Sequence, residues 1–365
     1  MENLLPWFTL RSVRGIGNHL FKRLIDRFQS PEQVLNAPYQ ELIKVDGLNR
    51  RLAVAIKNKK PDGSIKREID LALKKGFSLV TMADPLYPPL LREISDPPPV
   101  LYVCGRLHPT RRAISIVGSR NATSYGIATT KRISKHLAEK QFVITSGMAR
   151  GIDTAAHIGA LLGHGRTIAV LGSGLDRIYP AENRKLFEKI AENGAVVSEF
   201  PLGTEPEAHN FPARNRIISG ISLGTLIVEA TRKSGSLITA RLAAEQNREV
   251  FAIPGSIHSF KSIGTHNLIK QGAKLVEHAQ DILEELPLEI TDETQLEEPR
   301  AQQPMSADET LVFQSLEPYP IHIDTLVRKV GIEPGKLSSI LLTLELKGLV
   351  EQAAGKRFFL TNETP

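Results

Sequence analysis

Short apolar runs, each closed by a glycine, serine, proline or acid, alternate with segments of helical period through the middle of the chain. Ile114 to Gly118, Val143 to Ser146, Ile168 to Gly172, Val196 to Glu199, Leu226 to Glu229 and Val250 to Pro254 each span four or five residues, rich in Val and Ile. Amphipathic stretches follow them, for example from Ser124 and from Leu237 to Gln246. Such alternation between Arg111 and about Leu286 predicts strands linked by crossover helices. The expected fold class is therefore α/β: an extended Rossmann-like, mainly parallel sheet that binds ligands outside its strand carboxyl ends.

The flanks have other patterns. From Leu10 to Asn58 the period is helical, interrupted by Val13-Arg14-Gly15-Ile16-Gly17 and Val45-Asp46-Gly47-Leu48-Asn49. Both interruptions resemble helix-hairpin-helix turns, which offer backbone amides to nucleic-acid phosphates without reading sequence. The first is open to DNA contact or to a structural role; the second, with Asn49 in place of glycine, reads as a structural turn. A proline-dense stretch up to Gly105 is expected to wrap extended along the next domain. The expected domains are thus an N-terminal helical domain over 1–105, the Rossmann-like domain over 106–286, an acidic flexible linker over 287–306, and a winged helix over 307–365. The winged helix's recognition segment, Gly335 to Gly348, has few basic or amide side chains, which favours a structural or protein-binding role over sequence reading.

Composition narrows the class only slightly. The chain has 365 residues and a formal net charge of +6, which favours an anionic partner without choosing among DNA, RNA, nucleotides and a membrane surface. No apolar run is long enough for a membrane span and no leader precedes the first helix, so a cytoplasmic location is expected. The single cysteine, Cys104, rules out an intramolecular disulfide and a cysteine-based zinc site, and reads as a small buried apolar residue.

Candidate chemistry gathers at the strand ends. Ala113 to Arg120 (AISIVGSR) brings a strand to Gly118, Ser119 and Arg120. There a glycine, a hydroxyl, the amino terminus of the following helix and a guanidinium would make a phosphate-sized anion site. The design recurs at Ser146, Gly147 and Arg150; at Gly172, Ser173 and Gly174, followed by Tyr179 and Arg184; at Arg214, Asn215 and Arg216; and at Ser234, Gly235 and Ser236. Neither a G-x-G-x-x-G nor a G-x-x-x-x-G-K-[ST] string is present, so no nucleotide cofactor is expected. Asp153 and His157 share a helical face but lack a third ligand, so Asp153 is expected to orient loops and no metal is expected. Glu199 and Glu229 read as salt-bridge partners or as the remains of catalytic acids. No catalytic set is apparent.

The strings SIVGSR, ITSGMARGIDTAAH, TIAVLGSGLDRIYPAEN, VSEFP, FPARNRIISG, RKSGSLITARLAAEQNREVFAIPGS and GTHNLIKQGAKLV resemble the DNA-processing protein A (DprA/Smf) family over nearly the whole Rossmann-like segment. The resemblance implies a cytoplasmic homodimer that binds and protects incoming single-stranded DNA. It further implies loading of RecA recombinase in natural transformation or homologous recombination, without catalysis. By motif, the DNA pocket would comprise the strand-end residues named above. Ala181 follows Tyr179-Pro180 where some relatives have a basic residue, so Arg184 or Lys185 would substitute, and Phe211 or Tyr179 would stack on a base. The alternative is a nucleotide-processing enzyme. Leu223 to Glu229 is faintly similar to the PGGxGTxxE signature of lysine-decarboxylase-like phosphoribohydrolases, with the paired glycines replaced and the acid one residue late.

Overall fold

All six runs expected as strands are strands, and three more join them. The computed structural model describes residues 3–286, 306–316, 321–346, 349–353 and 355–360, in two units considered separately. In the first unit the strands are β1 (Ser78–Thr81), β2 (Val100–Gly105), β3 (Ala113–Val117), β4 (Val143–Ser146), β5 (Thr167–Val170), β6 (Gly194–Ser198), β7 (Gly224–Ile227), β8 (Glu249–Ala252) and β9 (Lys274–Leu275). They form one sheet in the order β1-β2-β6-β5-β4-β3-β7-β8-β9. Pairing is parallel from β6 through β3 to β9 and antiparallel at β2 and β1. The order reverses between β3 and β7, which makes that junction the topological switch point.

β3 is buried along its whole length, as expected for a central parallel strand covered by helices on both faces. The helices Ser124–Glu139 and Ile152–Leu162 cover one side, while Asn210–Ile221 and Ser236–Glu245 follow β6 and β7. Because every connection in the parallel part is a crossover, the loops after β3 to β8 all emerge on one edge.

Residues 78–105 do not wrap outside the sheet as expected: they supply β1 and β2, so the sequence-based boundary at 105/106 falls within one sheet. The prolines lie in the connection between these two strands, where Tyr87 Oη donates to the Pro98 carbonyl at 2.8 Å, and Pro97 to Pro99 precede β2 without interrupting its ladder. The N-terminal helices share the hydrophobic core of the sheet, from Trp7 and Phe8 through Tyr102 to Ile217. Arg11, paired with Glu68 of another N-terminal helix at 2.5 Å, joins the two parts by donating to Tyr102 Oη on β2 at 3.2 Å. Cys104, on β2, is half-buried and not fully enclosed.

The hairpin turns pack on each other. Leu52 of the second motif fills the space beside Gly15, whose φ is +98°, and Arg23 of the first reaches the Asp46 carboxylate at 2.6 Å. Asn49 accepts from Leu52 N at 2.9 Å and caps the helix Arg50–Asn58, a structural role for the residue that departs from the hairpin pattern.

In the second unit the helices Ala307–Ser315, Ile323–Val330 and Pro334–Leu346 pack with β10 (Ile321–His322), β11 (Val350–Ala353) and β12 (Arg357–Leu360). The sheet order β10-β12-β11 is that of a winged helix. Lys336, at the start of the third helix, pairs with Asp308 at 2.6 Å. The expected linker over 287–306 lies outside the described residues apart from Ser306, which caps the helix that follows it.

Candidate nucleic-acid interface

From β6 toward β8, the carboxyl edge carries the predicted residues in spatial order. Its centre is the loop after β3, at the switch point. Gly118 is needed there for close approach, because a Cβ would lie 2.8 Å from Ile152 Cγ1, and the Ser119 carbonyl accepts from Ile152 N at 3.2 Å. Arg120 is exposed, with Cζ 5.3 Å from the centre of the Phe211 ring, and no carboxylate pairs with it among the described residues. Tyr179 lies beside Phe211, with ring centres 5.9 Å apart and planes at 47°. Tyr179 is 47% exposed. Phe211, by contrast, is crowded: Arg214 Cζ is 5.8 Å from its ring centre and Gly172 lies so close that a Cβ would be 3.0 Å from Cδ1. Of the two rings expected to stack on a base, Tyr179 is therefore the accessible one, and Phe211 is the platform that holds Arg120.

Several predicted phosphate donors are engaged inside the protein. Ser146 Oγ donates to the Ile116 carbonyl at 2.6 Å, and Ser173 Oγ to the Arg177 carbonyl at 2.7 Å. Gly174 abuts the Pro201 carbonyl. Gly147 admits a guanidinium in place of a ligand: Arg214 is buried, and its Nη1 donates to the carbonyls of Gly147, at 2.8 Å, and of Val170. Its Nε lies 3.2 Å from Asn215 Oδ1. Burial pulls the Arg214 pKa down to about 10, although Asp153 opposes this. Arg216 is also buried, 2.5 Å from Glu199 and 3.2 Å from Asp96. Arg150 is exposed but held by Glu182 through two hydrogen bonds of 2.6 Å.

The helix after Arg120 does not offer the free amino terminus expected of it. Thr123 Oγ1 accepts from Gly126 N at 3.1 Å, and the buried Glu229 carboxylate accepts from Thr123 N at 3.0 Å and from its hydroxyl. A carboxylate there satisfies the orphan amide and the helix dipole, so the anion at this helix end is the protein's own. Glu199 is likewise structural: besides Arg216 it accepts from Asn18 Nδ2 at 3.1 Å. That bond brings the first hairpin turn, with exposed Gly17, to the end of β6.

Ser234 and Gly235 stay accessible at this edge, flanked by exposed Arg232 and Lys233, while Ser236 is buried. Ser234 Oγ is 2.7 Å from Ser236 Oγ, and Gly235 faces open space. Arg184 and Lys185 are exposed beyond Tyr179. Lys261, outside every strand-end motif, also reaches this edge: its Nζ donates to the Asn121 carbonyl at 2.5 Å. Its signal is the absence of any Asp or Glu from Val250 to Val276.

Asp153 and His157 are buried. Asp153 accepts from Ala149 N at 3.3 Å, orienting the loop after β4, and burial raises its pKa against the pull of Arg214 and Arg120. The Thr167 hydroxyl donates to the Ile144 carbonyl at 2.6 Å, so His157 Nδ1–H donates to Thr167 Oγ1, also at 2.6 Å. Burial, aided by the Arg214 charge, depresses the His157 pKa to about 3. A depressed pKa gives stability that is complete above the unfolded value near pH 6.5 and is lost as pH falls toward 3. At pH 5.5 the expected loss is about 1.4 kcal/mol. Urea unfolding of wild type and His157→Gln across pH 5.5–7.5 checks this: the variant lacks that part of the slope, and parallel curves would refute the assignment.

The sequence from 78 to 287 matches the family model described as DNA recombination-mediator protein A, and 297–356 matches one described as the DprA winged helix domain. Among curated relatives, protein Smf of Synechocystis is 36% identical over 96% of this chain and 97% of its own length. The DNA processing protein DprA of Bacillus subtilis is 40% identical over 70% of this chain and 87% of its own. Two solved structures are also similar. DNA processing protein A from Streptococcus pneumoniae has a TM-score of 0.66 and 35% identity, covering 77% of this chain and 98% of its own. The Helicobacter pylori protein, described with a single-stranded DNA binding mode, has a TM-score of 0.52 and 33% identity, covering 57% and 95%.

Proposed function

The chain belongs to the DNA recombination-mediator protein A family, and from that premise we propose that its sheet edge binds single-stranded DNA and delivers it to RecA recombinase. The observation that carries this reading is Arg120: an exposed guanidinium at the switch point, without a carboxylate partner among the described residues, held over Phe211 beside the exposed Tyr179. A cation next to an accessible ring suits a strand whose phosphates and bases are both within reach, and does so without regard to sequence. Arg184 and Lys185 continue the cationic path on one side, with the Gly15–Gly17 turn beyond them at the end of β6. Arg232 and Lys233, beside Ser234 and Gly235, continue it on the other.

The family's description as a recombination mediator supports RecA as the recipient of the strand. A homodimer would align two such edges on one strand and protect it. The non-catalytic reading is supported by Glu229, the acid that a phosphoribohydrolase would need free: it is buried and already accepts from Thr123. Titration of oligothymidine at increasing salt tests the proposal. With roughly four phosphates neutralised per protomer, the log–log slope is expected near −3, with similar affinity for mixed sequences. Binding independent of salt overturns it.

A further inference from the structure

Beyond Arg120, across the ends of β7 and β8, lies a second surface that none of the strand-end motifs contains. Two large apolar side chains project from the loop Pro254–Ser262: Ile257 is 82% exposed and Phe260 is 64% exposed. The loop is tied down on several sides. Tyr125 Oη donates to the Pro254 carbonyl at 3.3 Å, Lys261 Nζ to Asn121 O at 2.5 Å, and Ala230 N to Lys261 O at 2.8 Å. His266 Nε2 lies 3.0 Å from the Gly255 carbonyl. Tyr125 is itself 57% exposed.

We propose that Ile257 and Phe260 form a nucleobase-binding shelf that extends the single-stranded DNA path from Arg120 over the ends of β7 and β8. This rests on the single-stranded DNA reading above and adds residues to it. The bond from Lys261, the neighbour of Phe260, to Asn121 anchors this loop to the residue that follows Arg120 in the chain. An apolar side chain held in water by a fixed loop gains nothing within the protein, whereas a base stacked on the Phe260 ring removes both faces from water. Lys261 supplies the charge for the adjoining phosphate: its Nζ lies 6.0 Å from the Phe260 ring centre, and no carboxylate pairs with it among the described residues. The run from Val250 to Val276, which carries the shelf, contributes no acid of its own to repel a polyanion.

The test uses the full chain carrying Phe260→Trp. The natural tryptophan, Trp7, is 5% exposed, so a change in emission on adding oligothymidine reports position 260. Quenching that saturates with binding is expected. The Ile257→Ala/Phe260→Ala variant is expected to bind long oligothymidine roughly tenfold more weakly, while a very short oligomer that occupies only the Arg120 region binds nearly as to wild type. Unchanged emission, with the double variant binding long oligomers normally while Arg120→Ala is impaired, overturns the shelf and leaves the DNA reading intact. Absence of binding by wild type overturns both. A double variant that binds DNA normally but changes its mass in sedimentation assigns the surface to a second copy of the chain and also overturns the shelf.

Discussion

Replacing Arg214 by alanine is expected to destabilise the fold by about 3–5 kcal/mol, the cost of breaking a buried charge arrangement by removing one partner. The guanidinium donates to the carbonyls that end β4 and β5 and to Asn215. Its removal leaves those acceptors buried without a donor, takes from buried Asp153 the cation that opposes its desolvation, and opens a cavity beside Gly147. Arg214→Lys should recover little of the loss, because one ammonium cannot span both carbonyls and Asn215 as the planar fork does. Urea midpoints for both variants check this; a midpoint equal to wild type for Arg214→Ala would show that the guanidinium does not hold the strand ends together. Any fall in DNA binding by these variants therefore has to be read against their folded fraction.

The contrast between Arg214 and Arg120 shows what the sequence displays and what it hides. Strands β3 to β8 were legible because central parallel strands, buried on both faces, are short apolar runs. β1 and β2 were obscured by the prolines between them, and β9, only two residues long, has no period to detect. At the site, the motif Gly118-Ser119-Arg120 and the turn at Ser234-Gly235 are legible as loops. The inward arginines, Arg214 and Arg216, carry the same motif as an outward cation, because a sequence displays charge and not burial. In the helix Asn210–Ile221, however, Arg214 shares the period of Ile217, Ile218 and Ile221, all buried, so helical spacing already puts it on the inner face. Ser146 similarly ends a strand buried at every position, where a hydroxyl has to find a partner within the protein. The pairing of Arg150 with Glu182 and the capping of Thr123 by Glu229 join residues 32 and 106 positions apart, which no local pattern reports.

Arg120→Ala should do the reverse of Arg214→Ala, weakening DNA binding and leaving the fold intact. Its guanidinium is exposed, and its contact with the Phe211 ring, at 5.3 Å, is worth about 0.5–1 kcal/mol at an exposed site, so stability should change by no more than that. A charge-assisted phosphate contact is worth on the order of 1.5–3 kcal/mol, or roughly a 10- to 100-fold rise in Kd for oligothymidine. Loss of one phosphate contact should also reduce the salt slope by about 0.7. Mixed-sequence oligomers should lose the same factor, since a phosphate contact carries no base information. Arg120→Lys separates charge from shape: if the guanidinium plane resting on Phe211 aims the donors, lysine keeps the salt slope but recovers only part of the affinity. Fluorescence anisotropy on the three proteins at two salt concentrations decides the matter. Equal affinities would remove Arg120 from the strand path, and a loss confined to one sequence would make it a reader of bases.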